Sequence, residues 1–112
     1  MINAWGSWCG PCRAEFGLLA RAAAEYGRRV AFLGADVNDA TADAQAFLSQ
    51  LPVSYPCYQM SAAQLTGIVP QGVLGTPTTI FVNRAGRMTV HTGQYAAQGT
   101  LDADVETNAL GG

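Results

Sequence analysis

The chain has 112 residues, 49% of them hydrophobic and 12% charged, a composition that can bury one core and excludes a disordered tail. Its net charge of −2 comes from six basic and eight acidic residues scattered along the sequence, with no basic block for nucleic acid. No apolar run approaches the ~20 residues that span a bilayer, no signal peptide precedes the first motif, and three cysteines are an odd, sparse set for a secreted disulfide framework.

In chain order, "MINAW" reads as a short strand ending at Gly6. Beyond it, Cys12, Phe16, Leu19, Ala23 and Tyr26 recur at spacings of four, three, four and three, the apolar face of a helix that Gly27 should stop as a left-handed cap. "VAFLGADV" (Val30 to Val37) is the near-continuous apolar run of a strand covered on both faces. Thr41 to Leu51 forms a second helix, with Ala44, Phe47, Leu48 and Leu51 on one side and Pro52 behind it. "YPCYQM" (Tyr55 to Met60) is a short strand. Ser61 and Gln64 have the spacing of a capping box for a helix that stops at Gly67.

"TTIFVN" and "RMTVHTG" are strands joined by Arg84-Ala85-Gly86, with Gly86 supplying a positive φ. Leu101 to Leu110 closes the chain as a helix. The order β-α-β-α-β-α-β-β-α implies parallel strands with helical crossovers early and an antiparallel hairpin late. The expected fold is α/β, one mixed sheet with helices on both faces, in a single domain of residues 1–112.

"WGSWCGPCRAE" (Trp5 to Glu15) puts Cys9 and Cys12 two residues apart at the entrance of the first helix. That spacing serves a reversible disulfide, half a zinc site or two buried thiols. Zinc would need two more ligands, and only Cys57 and His91 offer themselves, neither in a paired motif. A Cys-x-x-Cys at a strand-to-helix junction within a βαβ unit reads as a redox motif.

"NAWGSWCGPCRAEF" resembles the active-site segment of the thioredoxin superfamily, both tryptophans included, and "GVLGTPTTIFVNRAGRMTVHTG" is similar to its second signature. The extra strand–helix insert "PVSYPCYQMSAAQLTGIVPQG" resembles the TlpA/ResA-like branch, extracytoplasmic thiol–disulfide oxidoreductases often linked to cytochrome c maturation. Members of that family carry more sequence ahead of the active-site strand, so the first strand is expected to be truncated. Any signal or membrane anchor would lie upstream of this chain. The resemblance places the protein outside the cytoplasm, in the bacterial periplasm or at the outer face of the cell membrane.

The resemblance implies a thiol–disulfide oxidoreductase needing no bound cofactor. It would act on protein disulfides or dithiols, draw on an upstream thiol donor, and work as a reductant if the Gly-Pro dipeptide is a guide. Cys9 at a helix N-terminus is the nucleophile, because unpaired N–H groups and the helix dipole stabilise its thiolate; Cys12, one turn in, resolves the mixed disulfide. Pro11 lacks an N–H where the first helical turn needs none, and Trp8 shields the pair. Thr76-Pro77 is implied to be a cis bond beside the disulfide, where substrate backbone docks. The branch also implies an acid after the second core strand that exchanges protons with Cys12. Asp39 falls there, with a turn or N-cap role in "NDAT" as the other reading and Asp36 as the second candidate.

In thioredoxin itself a buried aspartate sits six residues before the first cysteine. This chain has Asn3, so its proton-handling group must lie elsewhere. Gly17 stands where the family often has a helix-kinking proline. Arg13 and Glu15 read as a solvated helix face, Cys57 as a small buried spectator and His91 as solvent-facing. The rival classes are a metal-binding or redox-silent thioredoxin-fold module, and a thiol peroxidase, whose expected cysteine motif is missing.

Overall fold

The computed structural model describes residues 1–69, 72–73 and 75–111. Pro70 and Gln71 of the predicted insert and Leu74 of the second signature lie outside the described residues, as does Gly112. Among the described residues the elements are β1 (Ile2–Trp5), α1 (Gly10–Tyr26), β2 (Leu33–Val37), α2 (Thr41–Gln50), β3 (Cys57–Met60), α3 (Ala62–Ile68), β4 (Thr78–Val82), β5 (Met88–Thr92) and α4 (Gln98–Asp104). A π-helical segment, Val105–Leu110, continues α4. This is the predicted order.

The sheet runs β3-β2-β1-β4-β5. β1 pairs in parallel with β2, and β2 with β3; β4 is antiparallel to β1 and forms a hairpin with β5. Alternation along the strands makes two cores. On one face Trp5 and Phe81 meet Cys12, Phe16 and Leu19 of α1, Phe47 of α2, and Leu101 of α4. On the other, Ala4, Ala35, Val37 and Ile80 receive Leu65 and Val69 from α3. Trp5 is the pivot of the larger core: its ring stacks on Phe47 at 4.8 Å and meets Phe16 edge-on at 5.2 Å.

Local chemistry explains the boundaries. The capping box of α3 forms as read, Ser61 Oγ accepting from the Gln64 N–H and Gln64 Oε1 from the Ser61 N–H. Gly86 takes φ 85° in the β4–β5 turn, where a side chain would be strained.

Other expectations are corrected. Gly27 is right-handed at φ −61°; the chain leaves α1 because the Arg29 and Val30 amides both turn back onto the Tyr26 carbonyl. That turn keeps residues 30–32 out of the sheet, so β2 starts at Leu33 and not at Val30. β3 starts at Cys57 and not at Tyr55. α3 passes through Gly67 to Ile68, held by the Val69 N–H on the Leu65 carbonyl. The last helix starts three residues early and widens to π geometry after Asp104.

Candidate active site

β1 ends in the sheet at Trp5, and the chain must reverse into α1 within the next four residues. The Cys9 N–H closes that turn on the Gly6 carbonyl at 3.1 Å. Gly6 is required there by contact: a Cβ would stand 2.5 Å from the Trp8 indole. Cys9 is the N-cap of α1, in extended backbone conformation, and its sulfur accepts the Cys12 N–H at 3.2 Å. Cys9 and Cys12 form a disulfide, with Cα atoms 5.3 Å apart. Both are buried, whereas Trp8 beside them is 60% exposed. Pro11 falls in the first turn of α1, as read.

The Thr76–Pro77 bond is cis. β4 begins just after it, pairing Thr78 with Ala4 and Thr79 with Asn3. Continued by one residue, this antiparallel register brings Pro77 opposite Trp5, where the Cys9 turn departs. The two predicted signatures thus meet at one end of the sheet.

The predicted acids need correction. Asp39 is half-buried, and its oxygens are occupied by the turn: Oδ2 accepts the Ser7 N–H at 2.8 Å and Oδ1 the Ser7 hydroxyl at 2.7 Å, with the Ala40 N–H also on Oδ1. Burial pushes its carboxyl up, but hydrogen bonds from Asp36 and Ser7 outweigh that and hold it below the ordinary range. The raised carboxyl expected at Asp39 is found at Asp36, whose side chain is buried and pushed up to about 7, first by burial and then by Asp39.

Glu15 is the residue that sequence reading placed wrongly. It is fully buried, not solvated. Oε1 accepts from the Asn3 side-chain amide at 2.9 Å, and Oε2 from the Tyr95 N–H at 2.9 Å. Burial raises its carboxyl above the ordinary range, partly offset by these two bonds. It follows Cys12 by three residues, which puts the two side chains on the same face of α1. Asn3, standing where thioredoxin has its aspartate, here holds Glu15. Two of Glu15's supports come from β1 and from the loop after β5, so the sheet and the closing segment fix one carboxyl jointly.

Cys57 is half-buried, and burial pushes its thiol up. It lies on the edge strand β3 and His91 on the opposite edge β5, so the fold does not bring these two together as extra ligands for the pair. His91 is partly covered, stacked on Tyr95 at 4.0 Å, and not freely solvated.

A disulfide at the start of a helix, with a cis-proline at the same end of a mixed sheet, is the arrangement of a thioredoxin-like fold. No family model matches the chain. It is 32% identical over 105 residues to the thiol:disulfide interchange protein DsbE of Allochromatium vinosum, covering 94% of this chain and 54% of that protein. It is 29% identical over 99 residues to the thiol-disulfide oxidoreductase ResA of Halalkalibacterium halodurans, covering 87% and 55%. The chain thus spans about half the length of these curated relatives. The structure of MTB DsbF, in mixed oxidised and reduced forms, superposes with a TM-score of 0.85 over 96% of this chain and 78% of that one, at 23% identity, which shows the fold. The chain has the thioredoxin-like fold, and over about half their length its sequence is similar to the thiol–disulfide oxidoreductases DsbE and ResA.

Proposed function

We propose that this chain is a thiol–disulfide oxidoreductase that reduces protein disulfides through Cys9 and Cys12. The observation that carries the reading is Cys9 at the N-cap of α1, bonded to Cys12, with the buried Glu15 carboxyl one turn further on. In the reduced protein the Cys9 thiolate attacks one sulfur of the substrate disulfide. A mixed disulfide forms and the first substrate thiolate leaves. Cys12 gives its proton to the Glu15 carboxylate and attacks the Cys9 sulfur, and the second substrate thiol departs. Two electrons pass to the substrate, and Cys9–Cys12 is again a disulfide.

Trp8, Pro11, Thr76 and Pro77 form the docking surface around the sulfurs in this reading. Asp39 is assigned to hold the turn and Glu15 to handle the proton. The names of the relatives, a thiol:disulfide interchange protein and a thiol-disulfide oxidoreductase, support exchange at the pair. A reducing role in cytochrome c maturation outside the cytoplasm, with an upstream thiol donor recharging the pair, is what the resemblance read in the sequence implies. No helix among the described residues is long and apolar enough to cross a membrane.

Thiol counting tests this directly. Oxidised protein should present one free thiol, Cys57, and protein reduced by a mild dithiol should present three, with no metal bound in either state. The reduced form should then cleave insulin disulfides. Three thiols before reductant, or stoichiometric zinc on the same sample, would exclude the proposal.

The Glu15 role predicts a pH signature. With the Glu15 carboxyl raised, resolution by Cys12 should accelerate as pH rises through its titration, and Glu15→Gln should lose that limb. Stability gives an independent sign. A carboxyl raised in the folded state stabilises the fold fully at acid pH, and that contribution is lost as pH rises through the folded value. Urea midpoints of the oxidised parent should therefore fall more steeply than those of Glu15→Gln as pH rises above the ordinary carboxylate range. Identical slopes would remove Glu15 as the titrating group.

A further inference from the structure

Asp36 remains without a part in this chemistry, although it is a buried acid close to the disulfide turn. It sits near the end of β2, level with Trp5 on one side and Gln59 on the other, and is 2% exposed. Its Oδ2 receives the Gln59 side-chain amide at 3.4 Å, while its Oδ1 is buried and receives no donor. Gln59 also donates to the Asp39 carbonyl at 3.2 Å and accepts the Thr41 hydroxyl at 2.8 Å, which locks β3 to the start of α2. Asp39 in turn holds Ser7 by two bonds, and the Trp8 indole donates to the Val37 carbonyl at 3.3 Å. Every tether of the Gly6–Cys9 turn to β2 thus passes through residues 37–39, and Asp36 backs that segment.

We infer that Asp36 is a positioning residue of the disulfide site: as the acid of an Asp36–Asp39 pair it keeps the Asp39 carboxylate in place for Ser7, and so fixes the turn that presents Trp8 and Cys9. That the turn serves disulfide exchange rests on the function proposed above; the latch itself does not.

The pair works because two adjoining carboxylates cannot both ionise cheaply. Asp39 accepts three donors and carries the charge. Asp36 is buried beside it across the shared Gln59 amide, with Oδ1 unpartnered and Oδ2 held only by Gln59. It is the member of the pair placed to take up the proton and donate it to Asp39 on the acid side of its titration. The ionisable groups facing Asp36 are Asp39 and, from β3, the Cys57 thiol, whose own ionisation is suppressed by burial. No cation among them would compensate a second negative charge. When Asp36 loses its proton, Asp39 loses a donor and gains a repelling neighbour, and its hold on Ser7 weakens.

The test is the exchange rate of the Ser7 amide proton in oxidised protein, measured by NMR from about pH 5 to about pH 9 and corrected for intrinsic exchange. In the parent, Ser7 protection should fall roughly tenfold or more across the upper half of that range, while the Ala4 amide in β1 stays protected. Asp36→Asn, whose amide can donate to Asp39 at every pH, should keep Ser7 protected throughout. Asp36→Ala, if it folds, should leave Ser7 weakly protected at all pH values. Parent protection that is flat with pH, or that falls equally in Asp36→Asn, would overturn the inference. Insulin reduction is followed in parallel: an inactive parent with the expected Ser7 profile would contradict the proposed function and leave the latch supported.

Discussion

Cys9→Ser should bring the reduction of protein disulfides down to the uncatalysed rate, with the fold intact. A serine hydroxyl does not ionise near neutral pH, so the helix N-terminus has no anion to stabilise and no nucleophile forms. Cys12 cannot take over, because its side chain is fully buried one turn inside α1 whereas the Cys9 turn reaches the surface through Trp8. The retained N-cap makes this a clean experiment: serine accepts the Cys12 N–H as well as the Cys9 sulfur does, so α1 keeps its start. Insulin turbidity and circular dichroism on one preparation give activity and fold together. Parental activity in Cys9→Ser would remove Cys9 as the attacking group.

The largest loss of stability should come from Phe47→Ala. Phe47 is 2% exposed, stacks on Trp5 and meets Phe16 edge-on at 4.8 Å; the Arg13 guanidinium lies over its ring at 4.9 Å. Truncation removes the aromatic contacts of α2 with both β1 and α1 and leaves a cavity in the cluster. The cost should be about 3–5 kcal/mol, read from urea unfolding of the oxidised protein. Tyr58→Ala, at an exposed position on β3, should stay within about 0.5 kcal/mol. A Phe47→Ala loss below about 1 kcal/mol would mean that α2 is not held by this cluster. Since Trp5 leads directly into the Cys9 turn, the same substitution should also slow exchange.

Element order was legible because periodicity carries it: the apolar run of β2 and the capping box of α3 name their structures without tertiary help. The boundaries that moved are those set by contacts. Gly27 looked like a left-handed stop, but the turn is made by the Tyr26 carbonyl receiving two amides, which no composition rule reports. Cys9 and Cys12 at a helix start could be read from a local motif, whereas the cis Thr76–Pro77 bond was implied only by the family resemblance.

Glu15 could have been found too. The series Cys12, Glu15, Leu19, Ala22, Tyr26 has spacings of three, four, three and four, so the glutamate lies on the buried stripe itself, and a charge there is the anomaly that marks a function. Its partners, Asn3 and the Tyr95 amide, are 12 and 80 residues away and invisible to such a pattern. The raised carboxyl falls on Asp36 and not on Asp39 for the same reason. Which acid is buried depends on strand register and on Ser7 occupying the other.

The central claim is that Cys9 attacks and Cys12 resolves. The Cys12→Ser variant, reduced and then mixed with a peptide disulfide, should accumulate a stable mixed disulfide, because the resolving thiol is gone. Mass mapping should find the peptide on Cys9, in near-stoichiometric yield, while Cys57 remains free. Peptide recovered on Cys57, or a variant that turns over without trapping any adduct, would contradict the account.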